Sequence, residues 1–241
     1  MINLKEKSTS PVHAVNCLLK GLRLLAKAEL RKYLLIPILI NVVLYSIAIS
    51  LGYAYITDLI TEFIPSWLSW LEWLIWPLFF ISFSIIGFFT FTILANLIAA
   101  PFYSQLSVKT LELISGEKST VAEQKVSQVL LAEIGRMGYL VSRMIPLSIL
   151  FIIPGINLIA PFLWALFGAW GIGLEFMAYP LENKGLLFAQ QKEQAKTRRL
   201  STLSFGGLTV LGLSIPVLNI VVAPAAVIGA TIYFYSLNEK E

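Results

Sequence analysis

Two stretches without a single charged residue, 144–174 and 200–238, constrain what this chain can fold into more than anything else in it. Arg143 and Glu175 bound the first, and Arg199 and Glu239 bound the second. Each is broken near its middle by a related motif. The first reads Ile153-Pro154-Gly155-Ile156-Asn157 and continues to Ala160-Pro161; the second reads Ile215-Pro216-Val217-Leu218-Asn219 and continues to Ala223-Pro224. One helical span needs about 20 apolar residues, because the hydrocarbon core is about 30 Å thick and a helix rises about 1.5 Å per residue. The 31 residues of the first stretch are too many for one straight span and too few for two full spans and a turn. Pro154 interrupts the helical hydrogen-bond ladder and Gly155 frees the backbone to reverse. A re-entrant helical hairpin fits, dipping part-way and returning to the same side. The 39 residues of the second stretch would also admit two short full spans, but the shared motif argues for the same hairpin. The alternative for both is a pair of kinked membrane helices with no functional tip. Irregular backbone at membrane depth is tolerated only where protein or a watery cavity surrounds it, so the tips are candidate pore or substrate elements.

The remainder of the composition agrees with a membrane protein. The chain is 57% hydrophobic and 13% charged, with a mean hydropathy of +0.79, values outside the range of a soluble domain of this length. The economical reading is one polytopic domain over 1–241. One cysteine, Cys17, excludes an internal disulfide, and one histidine, His13, leaves too few ligands for a zinc site. The chain contains no G-x-x-x-x-G-K-[ST], which disfavours ATP-driven transport by this chain alone. No carboxylate, lysine, arginine or histidine lies inside the apolar runs, where a proton relay would need one, so a passive channel is favoured over a proton-coupled carrier. No catalytic constellation is visible. The expectation is a protein that is not an enzyme, with no cofactor, no metal and no nucleic-acid partner.

In chain order, a polar tail precedes Ser10-Pro11, a helix start with Ser as cap and Pro in the first turn. Lys20, Arg23, Lys27 and Arg31 then share one helical face, with Val15, Leu19, Leu22, Ala26 and Leu30 on another. Residues 1–32 therefore read as an interfacial amphipathic helix, which Gly21 could split in two. No cleavable signal peptide is expected, because the first apolar run begins only at Tyr33. Residues 33–56 form a first span, with Pro37 near its start. The connector 57–66 carries Asp58, Glu62 and a turn at Pro65-Ser66, and Trp67, Trp70, Trp73 and Trp76 follow as an aromatic belt. A second span fills most of the uncharged run 73–108, ending near Ala100, which places two spanning helices within 33–102. Beyond it, Lys109 and Glu112 can pair, Ser115-Gly116 marks a break, and Val126, Val129, Leu130, Ile134 and Met137 make an apolar stripe. A turn at Tyr179–Gly185 and a charged helix ending in Lys196, Arg198 and Arg199 separate the two hairpins.

Topology follows from the basic residues. All 18 Lys and Arg lie in 1–32 or after 108, and the connector 57–66 has none. The positive-inside rule then puts both termini and both hairpin mouths in the cytoplasm. The fold class is an all-α integral membrane protein with two long transmembrane helices, an N-terminal interfacial helix and two re-entrant hairpins.

The chemistry left is anion handling. Helix N-termini and glycine-adjacent N–H groups bind oxyanions, and arginine adds paired hydrogen bonds. Gly21-Leu22-Arg23 offers both if it opens a short helix, with Arg31-Lys32 nearby; the competing reading is that these cations only anchor the helix to anionic lipid. At these residues the chain resembles the CysZ family of bacterial sulfate permeases. The resemblance runs from about Gly21 to Tyr233 and rests on an ordered set: Gly21-Leu22-Arg23-Leu24-Leu25, Arg31-Lys32 before Ile36-Pro37 and Asn41, Trp76-Pro77, Ala95-Asn96-Leu97-Ile98-Ala99-Ala100-Pro101-Phe102, the first hairpin motif, Tyr179-Pro180 with Asn183, Phe205-Gly206, and the second hairpin motif. It implies sulfate entry across the bacterial inner membrane for cysteine synthesis, and a homo-oligomer, dimer or higher, seated in membrane lipid. It also implies a sulfate-binding Gly-Leu-Arg at Gly21, Leu22 and Arg23, with Arg31 and Lys32 as further basic residues. The turn after Tyr179-Pro180 carries Leu181-Glu182 in place of a more aromatic and acidic pair, so that loop is assigned no binding role. Two other functions compete: a structural or lipid-organising membrane protein without transport activity, and a regulatory subunit of another transporter.

Overall fold

The computed structural model describes residues 10–63, 70, 72–118, 122, 126–215 and 218–238. The N-terminal tail, the turn Pro65-Ser66, Trp67, the dipeptide Pro216-Val217, the C-terminal stub and the side chains of Asn41, Trp76, Val126 and Leu130 lie outside the described set. The described elements are helical: α1 Pro11–Leu24, α2 Ala28–Phe63, α3 Glu72–Ser115, α4 Val126–Ile149, a 3₁₀ turn at Ile156–Leu158, α5 Ala160–Glu182, α6 Phe188–Thr197, α7 Arg199–Leu213 and α8 Leu218–Asn238. The stretches Ala28–Ala48, Ala160–Glu182 and Leu218–Leu237 are each long and apolar enough to cross a membrane.

The chain divides into two compact units. The unit of residues 34–102 consists of parts of α2 and α3. Its described surface is oily: Leu35, Leu39, Val42, Leu78 and Phe80 are all more than half exposed. Within its described helices the backbone polar groups are paired along the helix, as a lipid environment requires. Pro37 and Pro77 leave their helices continuous. Trp70 and Trp73 are exposed, as residues of an aromatic belt would be.

The second unit, residues 1–33 with 103–241, is built on two close helix crossings. On α5, Ala169 and Gly173 are four residues apart; on α7, so are Thr202 and Gly206. A Cβ added to Gly206 would fall 2.6 Å from the Gly173 nitrogen and closer still to the Ala169 carbonyl oxygen, and one added to Gly173 would meet the Thr202 carbonyl oxygen at 2.6 Å. On α1 the pair is Cys17 and Gly21, and on α8 it is Ala225 and Gly229. A Cβ on Gly229 would lie 2.7 Å from Leu18 Cα; one on Gly21 would lie 2.8 Å from the Gly229 nitrogen and closer still to the Ala225 carbonyl oxygen. Small residues at a spacing of four on both partners let backbones touch, which is how helices associate where no hydrophobic force drives them together.

The register of the second crossing fixes the direction of α1. His13 Nε2 lies 2.8 Å from Ser236 Oγ, Leu18 meets Gly229, and Gly21 meets Ala225, so α1 runs antiparallel along α8. This corrects the sequence reading in two respects. The helix passes unbroken through Gly21, and the break falls at Leu25–Lys27. The buried face is Ala14, Cys17, Leu18 and Gly21, while Leu19 is exposed and Val15 and Leu22 are half-buried. Periodicity identified an amphipathic helix, but the glycine that admits a neighbouring backbone chose which face is covered.

Both hairpin motifs are closed by the same backbone hydrogen bond, from Asn to Ile. The Asn157 N–H donates to the Ile153 carbonyl at 3.0 Å, and the Asn219 N–H donates to the Ile215 carbonyl at 3.1 Å. Gly155 adopts a φ of 84°, a conformation that other residues rarely accept. The copies then diverge: Ala160-Pro161 starts α5, whereas Ala223-Pro224 lies inside α8. The arms of the first hairpin are longer than its uncharged stretch, because α4 begins at Val126 and carries Glu133, Arg136 and Arg143 before its apolar end. Its predicted stripe faces outward, with Ile134 and Met137 each 65% exposed. The helix expected to stop near Ala100 continues through Pro101 to Ser115. Within the second unit its end is fixed by Leu106 and Thr110, both fully buried, and by Ser107 Oγ, 2.9 Å from Thr231 Oγ1 on α8. The buried hydroxyls of Thr110, Thr209 and Thr231 donate to the carbonyl four residues back. The predicted Lys109–Glu112 pair forms at 2.8 Å.

Candidate functional site

The five candidate residues occupy the corner between α1 and α2. Gly21, Leu22 and Arg23 lie in the last turns of α1, and Arg31 and Lys32 lie just inside α2. The motif therefore closes a helix rather than opening one. Inside a helix the N–H groups are already bonded to carbonyls four residues back, so those of residues 21–23 cannot cradle an anion. The Gly21 carbonyl accepts from the Leu25 N–H at 3.0 Å, and the Arg23 carbonyl from the Ala26 N–H at 3.3 Å. The Lys27 carbonyl then caps the next start, accepting from the Leu30 and Arg31 N–H groups, both at 3.1 Å. Buried Leu25 and Leu30 pin the corner on either side.

Each candidate has a distinct setting. Gly21 is buried against the α8 backbone, and its role there is packing. Leu22 joins Leu18 and Leu19 in the wall of an apolar cavity of about 230 Å³, whose other walls include Leu208, Ile215, Leu218 and Val222. The residue before Arg23 thus shares a cavity with the turn of the second hairpin. Arg23, Arg31 and Lys32 are exposed, as are Lys20 and Lys27. Among the described residues, no carboxylate lies within ion-pair distance of any of these five cations. The ammonium of Lys32 sits 5.1 Å from the centre of the Tyr33 ring. Glu29 in the first turn of α2 is the nearby negative charge in sequence. The corner can hold an oxyanion through side chains and the free N–H groups that begin α2, an arrangement in which arginine supplies two hydrogen bonds at once.

The loop assigned no binding role in the sequence reading is a structural hub. Asn183, 7% exposed, donates from Nδ2 to the Ser104 carbonyl at 3.2 Å and accepts from Ser104 Oγ at 3.0 Å, while its own carbonyl accepts from the Ala122 N–H at 3.0 Å. Arg136 donates to Glu182 Oε1 at 2.9 Å and to Gln191 Oε1 at 2.7 Å, and lies 3.2 Å from Glu133. Ser104, Glu133, Glu182, Asn183 and Gln191 line a cavity of about 260 Å³ with Phe188 and Leu187. Burial pushes the Glu133 carboxyl up, against the opposing pull of Arg136. The signal for this hub was Asn183 followed by Gly185, whose φ of 82° ends the turn; the identity of its partners lay in three distant helices. His13 and Cys17 do meet, with Sγ 3.6 Å from Nε2. The thiol is fully buried and pushed up to about 11 by that burial, which makes it inert.

An all-helical membrane protein with a packed pair of helical hairpins and a corner rich in exposed cations near one hairpin's turn is the class these features define. A sequence profile of the family described as Sulfate transporter CysZ/Etoposide-induced protein 2.4 matches residues 17–224. The chain is 35% identical over 224 residues to the sulfate transporter CysZ of Pseudomonas aeruginosa (strain LESB58), covering 89% of this chain and 91% of that one. It is 38% identical over 224 residues to the protein of the same name from Pseudomonas syringae pv. tomato, covering 89% and 88%. With that from Pectobacterium atrosepticum it shares 32% identity over 239 residues, covering 95% and 86%. The chain belongs to this family.

Proposed function

We propose that this chain is a sulfate permease that admits sulfate across the bacterial inner membrane without ATP, and that Arg23, Arg31 and Lys32 hold the ion on its path. The observation that carries the reading is the position of Arg23: an exposed guanidinium with no carboxylate of the described residues within ion-pair distance, next in sequence to Leu22, which lines a cavity with Ile215 and Leu218 at a hairpin turn. If the hairpins dip into the bilayer, this corner lies at depth rather than at the surface. The first arm of each hairpin supports such a dip, while the second arms, α5 and α8, are each long enough to cross. The 15 residues of α7 span about 22 Å, short of the roughly 30 Å hydrocarbon core. Past Arg143, α4 has only six residues before its turn. Two spanning helices within 33–102, two half-penetrating hairpins, cytoplasmic termini and a homo-oligomer complete the proposed arrangement.

Full-length protein in liposomes admits labelled sulfate down its gradient on this reading; uptake that appears only when an ATPase partner is added would refute a self-sufficient permease. Calorimetry tests the site. Hydrogen bonds to charged groups are worth about 1.5–3 kcal/mol, so Arg23→Ala weakens sulfate binding roughly ten- to a hundred-fold. Lys20→Ala, on the same helix, does much less. Equal affinity for Arg23→Ala and the unaltered chain would remove Arg23 from the site while leaving permeation standing.

A further inference from the structure

A second cationic feature lies away from the α1–α2 corner, around Tyr139 on α4. The Arg143 guanidinium sits 3.7 Å from the centre of the Tyr139 ring, and the Lys192 ammonium of α6 sits 5.2 Å from the same centre. The ring is held in place: Trp170 Nε1 on α5 donates to its hydroxyl at 3.0 Å, and Phe188 packs edge-on at 5.6 Å. Arg143 is further fixed by donating to the Tyr139 carbonyl at 3.0 Å. Three helices thus converge to hold two cations over one aromatic ring. Neighbouring Arg136 is neutralised by Glu133 and Glu182, but among the described residues no carboxylate lies within ion-pair distance of Arg143 or Lys192.

Sequence fixes the level at which this cluster sits. Arg143 is the last charge before 31 uncharged residues, and Trp170 lies five residues before Glu175, which ends them. Tyrosine and tryptophan joined with cations at the edge of an apolar segment mark the bilayer–water boundary. Beyond Arg143 the surface of α4 is uncharged and largely apolar, with Met144, Ile145 and Ile149 exposed and the Ser148 hydroxyl donating back to the Met144 carbonyl. A ligand here meets positive charge at one end and an oily helix face at the other.

We propose that Arg143 and Lys192, held on Tyr139, bind the phosphate of an anionic glycerophospholipid whose acyl chains lie along α4. A soluble tetrahedral oxyanion would share the headgroup chemistry but make no use of the apolar face. A zwitterionic lipid brings a quaternary ammonium that the two cations repel. A basic residue at a membrane surface favours anionic lipid by about 1 kcal/mol, roughly five-fold, so two give a preference on the order of thirty-fold.

The test is native mass spectrometry of the full-length protein in detergent micelles containing equal amounts of phosphatidylglycerol and phosphatidylcholine. The unaltered chain retains phosphatidylglycerol preferentially. Arg143→Gln with Lys192→Gln abolishes the preference, exposed Arg143→Gln alone reduces it several-fold, Arg143→Lys preserves it, and Lys118→Gln in the exposed loop leaves it unchanged. Equal retention of the two lipids by the unaltered chain, or an undiminished preference in the Arg143→Gln protein, overturns the proposal. Displacement of the lipid by millimolar inorganic phosphate also overturns it, because the site would then take the free ion. Sulfate flux enters none of these readouts.

Discussion

Gly206→Ala isolates the close crossing of α5 and α7. In a helix interior, alanine is favoured over glycine by about 1 kcal/mol, so propensity alone predicts a gain in stability. The crossing predicts the reverse. The new methyl would lie 2.6 Å from the Gly173 nitrogen and nearer still to the Ala169 carbonyl oxygen, both backbone atoms of α5 that no side-chain rotation can move. The helices must separate, which strips contacts from fully buried Phe205 and from Ala169. Overpacking of this kind costs about 1–3 kcal/mol and more when the obstacle is backbone, so the net loss is about 2 kcal/mol or greater. For a chain of this size that lowers Tm by roughly 4–8 °C. Thermal unfolding in detergent measures it, with Gly138→Ala as the control: that glycine lies inside α4 and an added Cβ meets nothing within 4 Å, so the change leaves Tm equal or slightly higher. A Gly206→Ala protein that melts with or above the unaltered chain would refute the close-crossing argument.

Gly21→Ala acts by the same mechanism at the α1–α8 crossing; it lowers Tm by several degrees, yet the protein that remains folded binds sulfate in calorimetry with nearly unchanged affinity, and a selective loss of affinity at constant Tm would contradict its packing role. Cys17, whose thiol burial pushes to about 11, resists maleimide at neutral pH until denaturant is added; stoichiometric labelling of the native protein, read by mass spectrometry, would refute its burial. Asn183→Ala removes the partner of the part-buried Ser104 hydroxyl and lowers stability by about 1–3 kcal/mol, and an unchanged unfolding temperature would show that this hub is dispensable.

The sequence by itself determined the local pieces. Absence of charge over 144–174 and 200–238 set the apolar segments, and Ile-Pro-x-x-Asn set the turns, because proline interruption and the backbone bond from Asn to Ile are matters of a few adjacent residues. The Lys109–Glu112 pair was legible for the same reason. The candidate cations were legible as a basic face. Tertiary structure decided the relations among them. It showed that Gly21-Leu22-Arg23 ends a helix, since what stops α1 is the corner at Leu25–Lys27, which carries neither proline nor glycine to announce it. It turned the face with Cys17 and Gly21 inward, because the backbone of α8 can approach only where α1 offers no side chain. It joined Asn183 to Ser104 and Arg136 to Glu182, residues 79 and 46 positions apart. Periodicity reports that a helix has two faces; which face is covered, and by what, depends on surfaces brought together from distant parts of the chain.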